Sequence, residues 1–292
     1  MVRHAHAIAR EVGARVVLLY ADVVEDDKDL ADLIQDVDFR VILVSRRAGF
    51  RAPEGWGEMC SIVNVPDITM TRSGQIKVAM LVAAAESLIR MGDRIICLTG
   101  IDGSGTIDTI IVLDLGIELE MFAESTADPL PPDVTPAVFE RLLTLASDLG
   151  LEGREGRPVG TVFVVGDSTR VLSQSHQLVI NPFHGYPEAE RNILDPRLEE
   201  TIKEFSAIDG AFIIRGDGVI LSAGRYLASQ GKLDEPLPQG LGTRHEAAAA
   251  ITMTTSAIAL CISQSTGTIS IFKRGHLITD ISKPRSRASE GL

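Results

Sequence analysis

Apolar residues run almost unbroken in three stretches of the first hundred positions: ARVVLLYA (14–21), DFRVILVS (38–45) and DRIICLTG (93–100). Runs of this length, rich in β-branched residues, predict strands buried on both faces. Helical periodicity falls between them. Residues 2–12 carry apolar positions at helical spacing up to Gly13, and EDDKDLADLIQD (25–36) opens on acids, as helix starts do. The longest helical pattern, SGQIKVAMLVAAAESLIRMG (73–92), is expected to close at Gly92, and TIIVLDLG (109–116) adds a further strand. Strands alternating with helices predict a parallel, helix-covered α/β sheet.

The pattern then changes. ADPLPPDVTP (127–136) holds four prolines and predicts a stiff boundary. Beyond it, TPAVFERLLTLASDLG (135–150) is an amphipathic helix, PVGTVFVVGD (158–167) a strand and DPRLEETIKEFS (195–206) a helix. AFIIR and VILSA are strands joined by a Gly216-Asp217-Gly218 turn; residues 243–253 form a helix; SAIALCIS and TISIFK are strands joined by Gln-Ser-Thr-Gly. The expected organisation is an α/β domain over 1–128, a Pro-rich linker over 129–136, a mixed sheet flanked by helices over 137–282, and a frayed tail over 283–292.

Composition narrows the function classes. With 45% apolar residues the chain can bury a large core, and a net charge of −12 disfavours nucleic-acid or anionic-membrane partners. Cys60, Cys97 and Cys261 lack the paired spacing of a zinc site. They fit reduced thiols in a cytoplasmic protein. No stretch reaches the about 18–20 apolar residues of a membrane span, and the N-terminus lacks a secretory h-region.

Two loops compete as phosphate sites. TGIDGSGTIDT (99–109) has P-loop glycine spacing, but Thr106 stands where lysine is needed and a strand pattern follows. A strand-connecting loop is the better reading. GLGTRHEAAAA (240–250) instead starts a helix at Thr243, Arg244 and His245. Free N–H groups, the helix dipole and a guanidinium there favour an anion. Thr243 and Glu246 also fit a capping box, and the residues alone leave both readings open. Nearby in kind are Asp209, before the small Gly210 and Ala211, and the hydroxyl loop SQSTG (263–267). Carboxylate, basic helix start and hydroxyl loop together suit a nucleoside triphosphate.

LEGREGRPVGTVFVVGD, NPFHGY, RNILDPRLEETIKEFSAIDGAFII, GLGTRHEAA and SQSTGTISIF occur in that order. Together they resemble the diadenylate cyclase (DAC) domain of DisA-type proteins, over about residues 134–280. The resemblance implies condensation of two ATP into cyclic di-AMP and two pyrophosphates in a homo-oligomer with DAC domains face to face. It implies Asp209 as the catalytic acid serving a Mg²⁺ or Mn²⁺ ion and the attacking hydroxyl, with Gly210 and Ala211 lining the same spot. It further implies phosphate contacts from Thr243, Arg244, His245, Ser263, Thr266 and Gly267, a metal role for His245, and an adenine site at Tyr226 and Leu227. Two positions depart from the family: Glu246 replaces the second arginine of Arg-His-Arg, and Gln264-Ser265 replaces Glu-Glu. The alternative these departures support is a catalytically degenerate protein that binds ATP or cyclic di-AMP. The front domain faintly resembles the C-terminal domain of pyruvate kinase, and an α/β domain ahead of a DAC domain resembles the archaeal cyclases. That arrangement implies no membrane anchor before the DAC domain and no DNA-binding module after it, and a regulatory or oligomerising role for the front domain.

Overall fold

The computed structural model describes residues 2–24, 39–47, 49–52, 56, 60–67, 71–90, 92–101, 104–115, 130–154, 156, 159–228, 237–238 and 240–282. The helix expected over 25–36 and the tail 283–292 lie outside these residues. The chain divides into two compact units, one of residues 1–67 and 72–129, the other of 68–71 and 130–292.

The first unit is built on β1 (Val16–Tyr20), β2 (Arg40–Ser45), β3 (Cys60–Asn64), β4 (Arg94–Thr99) and β5 (Thr109–Asp114), in the order β3-β2-β1-β4-β5. The first four are parallel, as the continuous apolar runs predict. Along β1, β2 and β4, alternate side chains (Val17, Leu19, Val41, Leu43, Ile96, Leu98) join one core. Ala5 and Ala9 of α1 (Val2–Val12) pack into it at i, i+4 spacing. β5 corrects the all-parallel expectation: it runs antiparallel to β4, Thr99 pairing with Thr109. The nine residues between those partners form a hairpin connection, whereas a parallel crossover takes roughly a dozen or more.

α2 (Arg72–Ala85) is shorter than the 73–92 pattern suggested. Ser87 adopts φ 59°, and the N–H groups of Leu88 and Ser87 donate to the Ala83 and Ala84 carbonyls at 2.9 and 3.0 Å. This left-handed closure stops the helix at its last alanine, Ala85.

The second unit holds a seven-stranded mixed sheet, ordered β12-β11-β10-β6-β8-β9-β7. Its strands are β6 (Val162–Val165), β7 (Ser175–Gln177), β8 (Ala211–Ile214), β9 (Ile220–Leu227), β10 (Ile258–Ile262), β11 (Ile269–Lys273) and β12 (His276–Ile281). Only β6 and β8 pair in parallel. α3 (Pro136–Glu152) begins with its Thr135 side chain accepting from the Val138 N–H, has Pro136 in its first turn, and ends at Gly153 with φ 64°. It packs against β10 and β11. α4 (Ser168–Ser173) precedes β7, and α5 (Glu199–Phe205) sets Phe205 edge-on to Phe183. α6 (Thr243–Thr254) packs Ala248, Ala249 and Ile251 against Val162, Val164, Ala211, Ile213, Ala259, Cys261 and Phe272. Thr243, Arg244 and Glu246 of its first turn share a cleft with Val162 of β6, Ala211 of β8 and Tyr226 of β9.

Candidate nucleotide site

Asp209 sits immediately before β8 at the edge of a cleft of about 600 Å³. The backbone there is forced by the following glycine. Gly210 has φ 107°, and a Cβ on it would come within 2.6 Å of the Arg225 nitrogen on β9. Only glycine fits that close approach at that φ, so Asp209 is held out of the sheet with its side chain 87% exposed.

The opposite wall is the start of α6. Thr243, Glu246, Ala247 and Ala250 fall on one helical face and all line the cleft, with Arg244 beside them. The Arg244 Nη2 lies 3.4 Å from Asp209 Oδ1. Both side chains are substantially solvated, so the pair is weak. β9 supplies Tyr226 and Leu227: Leu227 is buried, whereas Tyr226 is 53% exposed and rests on the His176 ring at 5.0 Å. An exposed aromatic face supported from behind can stack on a base. The cleft therefore joins a carboxylate, a guanidinium at a helix N-terminus and an aromatic platform. Asp209, Gly210, Ala211, Tyr226, Leu227, Thr243 and Arg244 all line it.

His245, next in the same turn, is not among the residues lining the cleft. It is 6% exposed, its Nδ1 accepts from the Gly242 N–H at 3.3 Å, and its ring meets Phe272 edge-on. Burial holds its pKa below the ordinary histidine value. Through Nδ1, His245 caps the start of α6. The Thr243–Glu246 capping box is corrected by the same geometry. Gly242 is the N-cap, its carbonyl accepting from the His245 and Glu246 N–H groups at 2.9 and 3.2 Å. Glu246 thus falls one position too late for a box, and it lines the cleft instead.

Ser263, Thr266 and Gly267 are not among the cleft-lining residues. Their loop is tied to itself: Gly267 N–H donates to the Ser263 carbonyl at 2.8 Å, and Ser263 Oγ lies 3.2 Å from Ser265 Oγ. It approaches the site through Gln264, which flanks Gly160 on the side where Arg244 Nη1 lies.

Sequence reasoning missed several residues of the lining, among them Arg225, Leu178 and Glu246. Arg225 lines the cleft but is spent on structure, donating to Ser175 Oγ and to the Leu172 and Ser175 carbonyls. Leu178 forms part of the rim, and Glu246 puts a second carboxylate into the cleft. Only Glu246 had a sequence signal, its helical register with Thr243 and Arg244. In the first unit, the strand β5 after the glycine-rich 99–109 loop excludes a P-loop. The thiols of Cys97 and Cys261 are buried and pushed up to about 12, and that of the half-buried Cys60 to about 11. Among the described residues, no three His, Cys, Asp or Glu side chains cluster as a metal site, and no helix is long and apolar enough to cross a membrane.

Residues 1–122 match the family described as "Probable sensor domain DacZ_P", and residues 148–277 match "DisA bacterial checkpoint controller nucleotide-binding". A diadenylate cyclase of Methanocaldococcus jannaschii is 38% identical over 192 residues, covering 65% of this chain and 60% of that protein. One from Haloferax volcanii is 34% identical over 269 residues, covering 86% of this chain and 96% of that protein. A pyruvate kinase structure from Cryptosporidium parvum aligns with 39% of this chain and 22% of its own at 16% identity, with a TM-score of 0.31. With cleft, domain order and relatives in agreement, the chain belongs to the diadenylate cyclase family, a DacZ_P-type domain followed by a DAC domain.

Proposed function

We propose that this diadenylate cyclase condenses two ATP into cyclic di-AMP and two pyrophosphates, with its DAC cleft holding one ATP. The observation that carries the reading is the pairing of Asp209 with Arg244, 3.4 Å apart in the cleft at the α6 N-terminus. Phosphoryl transfer needs positioning and charge neutralisation more than covalent help. Arg244 and the α6 N–H groups grip the triphosphate, and Tyr226 and Leu227 seat the adenine. Asp209 accepts the hydrogen bond of the attacking 3′-hydroxyl and orients it toward the α-phosphorus of the second ATP. Pyrophosphate then leaves in line.

The residues fit a divalent cation of the magnesium kind. Asp209 offers an exposed carboxylate whose contact with Arg244 is long at 3.4 Å, and such ions take one or two carboxylates plus substrate phosphates. When bound, Mg²⁺ or Mn²⁺ would neutralise phosphate charge and acidify the hydroxyl. Asp209 would hold it, with His245, whose Nδ1 accepts from Gly242, offering only its Nε2.

Each α-phosphorus must meet a hydroxyl carried by a different ATP, so turnover needs two DAC domains facing each other about a two-fold axis. Leu178, Val179 and Ile180, the last 94% exposed, form an apolar run continuing from the cleft rim. This supports the rim as the face that meets the second copy. The front domain acts as a regulatory module, and the chain works in the cytoplasm, where its thiols stay reduced.

Glu246 favours a second reading, a nucleotide-binding protein without turnover, because it adds negative charge where a polyphosphate enters. Incubation with ATP and Mg²⁺ or Mn²⁺ separates the two: release of pyrophosphate with cyclic di-AMP supports the cyclase, and saturable ATP binding without pyrophosphate supports the second reading.

A further inference from the structure

Gly160, just before β6, lies outside every expected site residue, and no positive φ demands a glycine there. What demands it is the space. A Cβ at 160 would sit 3.1 Å from Arg244 Nη1, 2.9 Å from Gln264 Cβ and 3.1 Å from the Gln264 nitrogen. The guanidinium Nη1 therefore lies beside the space a side chain at 160 would fill, while Nη2 lies 3.4 Å from Asp209 Oδ1. Arginine binds phosphate well because its planar fork is pre-organised, and a fork on a stem of several rotatable bonds must be fixed by its surroundings. Its ion pair with exposed Asp209 is too weak and solvated to fix it.

We propose that Gly160 is the seat of Arg244: a positioning residue whose missing side chain lets the guanidinium lie between Asp209 and the 263–267 loop, aimed into the cleft. The same gap lets that loop close onto the grip through Gln264, although its hydroxyls stay outside the cleft. A methyl group at 160 pushes the guanidinium off the loop and misaims its fork, with no charge lost and no ligand removed. The seat rests on the reading of Arg244 as the phosphate grip, and the test separates the two.

The experiment is a double-mutant cycle on the full chain, with Gly160→Ala and Arg244→Ala alone and combined, reading ATP affinity, kcat/KM for cyclic di-AMP and the melting temperature. Gly160→Ala is expected to lower kcat/KM at least tenfold with a melting temperature within a few degrees of wild type. In the Arg244→Ala background the same change is expected to cost less than twofold. Equal losses in both backgrounds, or wild-type kinetics for Gly160→Ala, overturn the seat. Should Gly160→Ala fail to fold, the collision falls on the Gln264 Cβ and backbone nitrogen, 2.9 and 3.1 Å from the added methyl, rather than on the guanidinium, and the seat is overturned. Unchanged ATP affinity in Arg244→Ala alone refutes the grip itself, a different result from additivity between the two sites.

Discussion

His245 shows how one side chain can shape a helix start. Its Nδ1 accepts from Gly242 and so must stay unprotonated, which burial favours by depressing its pKa, with Arg244 adding to the depression and Asp280 opposing it. A histidine depressed in the folded state binds its proton more readily when unfolded, so stability rises with pH. The stabilisation is complete above about pH 6.5, the ordinary histidine value, and is lost as pH falls through the lower folded value. Chemical denaturation at pH 7.5 and 5.5 checks this: wild type should lose stability at the lower pH, and His245→Gln should lose less. Thr243 gives a contrasting expectation. As the first helical residue rather than the cap, it should tolerate Thr243→Ala within about 0.5 kcal/mol, read from the urea midpoint. The sequence suggested a cap at Thr243 because Thr-x-x-Glu fits the box pattern. Gly242 won because the chain turns into the helix one residue earlier, a matter of backbone geometry that spacing alone does not carry. Gly160 and Glu246 stayed hidden for a similar reason: their roles depend on which distant residues face them.

At the scale of elements, the central strands were legible and the edges were not. β1, β2, β4, β6, β8 and β10 are near-continuous apolar runs, since both faces are buried. The strands the pattern did not mark are β3, β7 and β12, each at a sheet edge. β7 is three residues, Ser-His-Gln, and β3 is mostly half-buried; one solvated side leaves no apolar signature. β7 nonetheless matters to the site, because its His176 backs Tyr226. His176→Ala should therefore weaken ATP binding while leaving a nucleotide-independent fold, measured by calorimetric titration with a non-hydrolysable ATP analogue. The α3 cap was legible: Thr135 followed by Pro136 is a start signal, and the Thr135 side chain does bond the Val138 N–H. Thr135→Ala should cost about 1 kcal/mol in equilibrium unfolding.

For the whole molecule, fold class and family were legible because the motifs are local words in a fixed order, while assembly is written on a surface that no run of residues spells out. Ile180, nearly fully exposed beside the cleft, is a costly place for an isoleucine unless something covers it. Ile180→Glu should leave the melting temperature unchanged and reduce activity per subunit most at low enzyme concentration, where the encounter of two DAC domains limits turnover. The central claim is that the cleft bounded by Asp209 and Arg244 makes cyclic di-AMP. Its most direct test is mass analysis of the products from ATP and Mg²⁺ or Mn²⁺ with wild type and Asp209→Asn, alongside their melting curves. The account predicts cyclic di-AMP and pyrophosphate from wild type, and neither from Asp209→Asn at an unchanged melting temperature. Product from Asp209→Asn at the wild-type rate would contradict it.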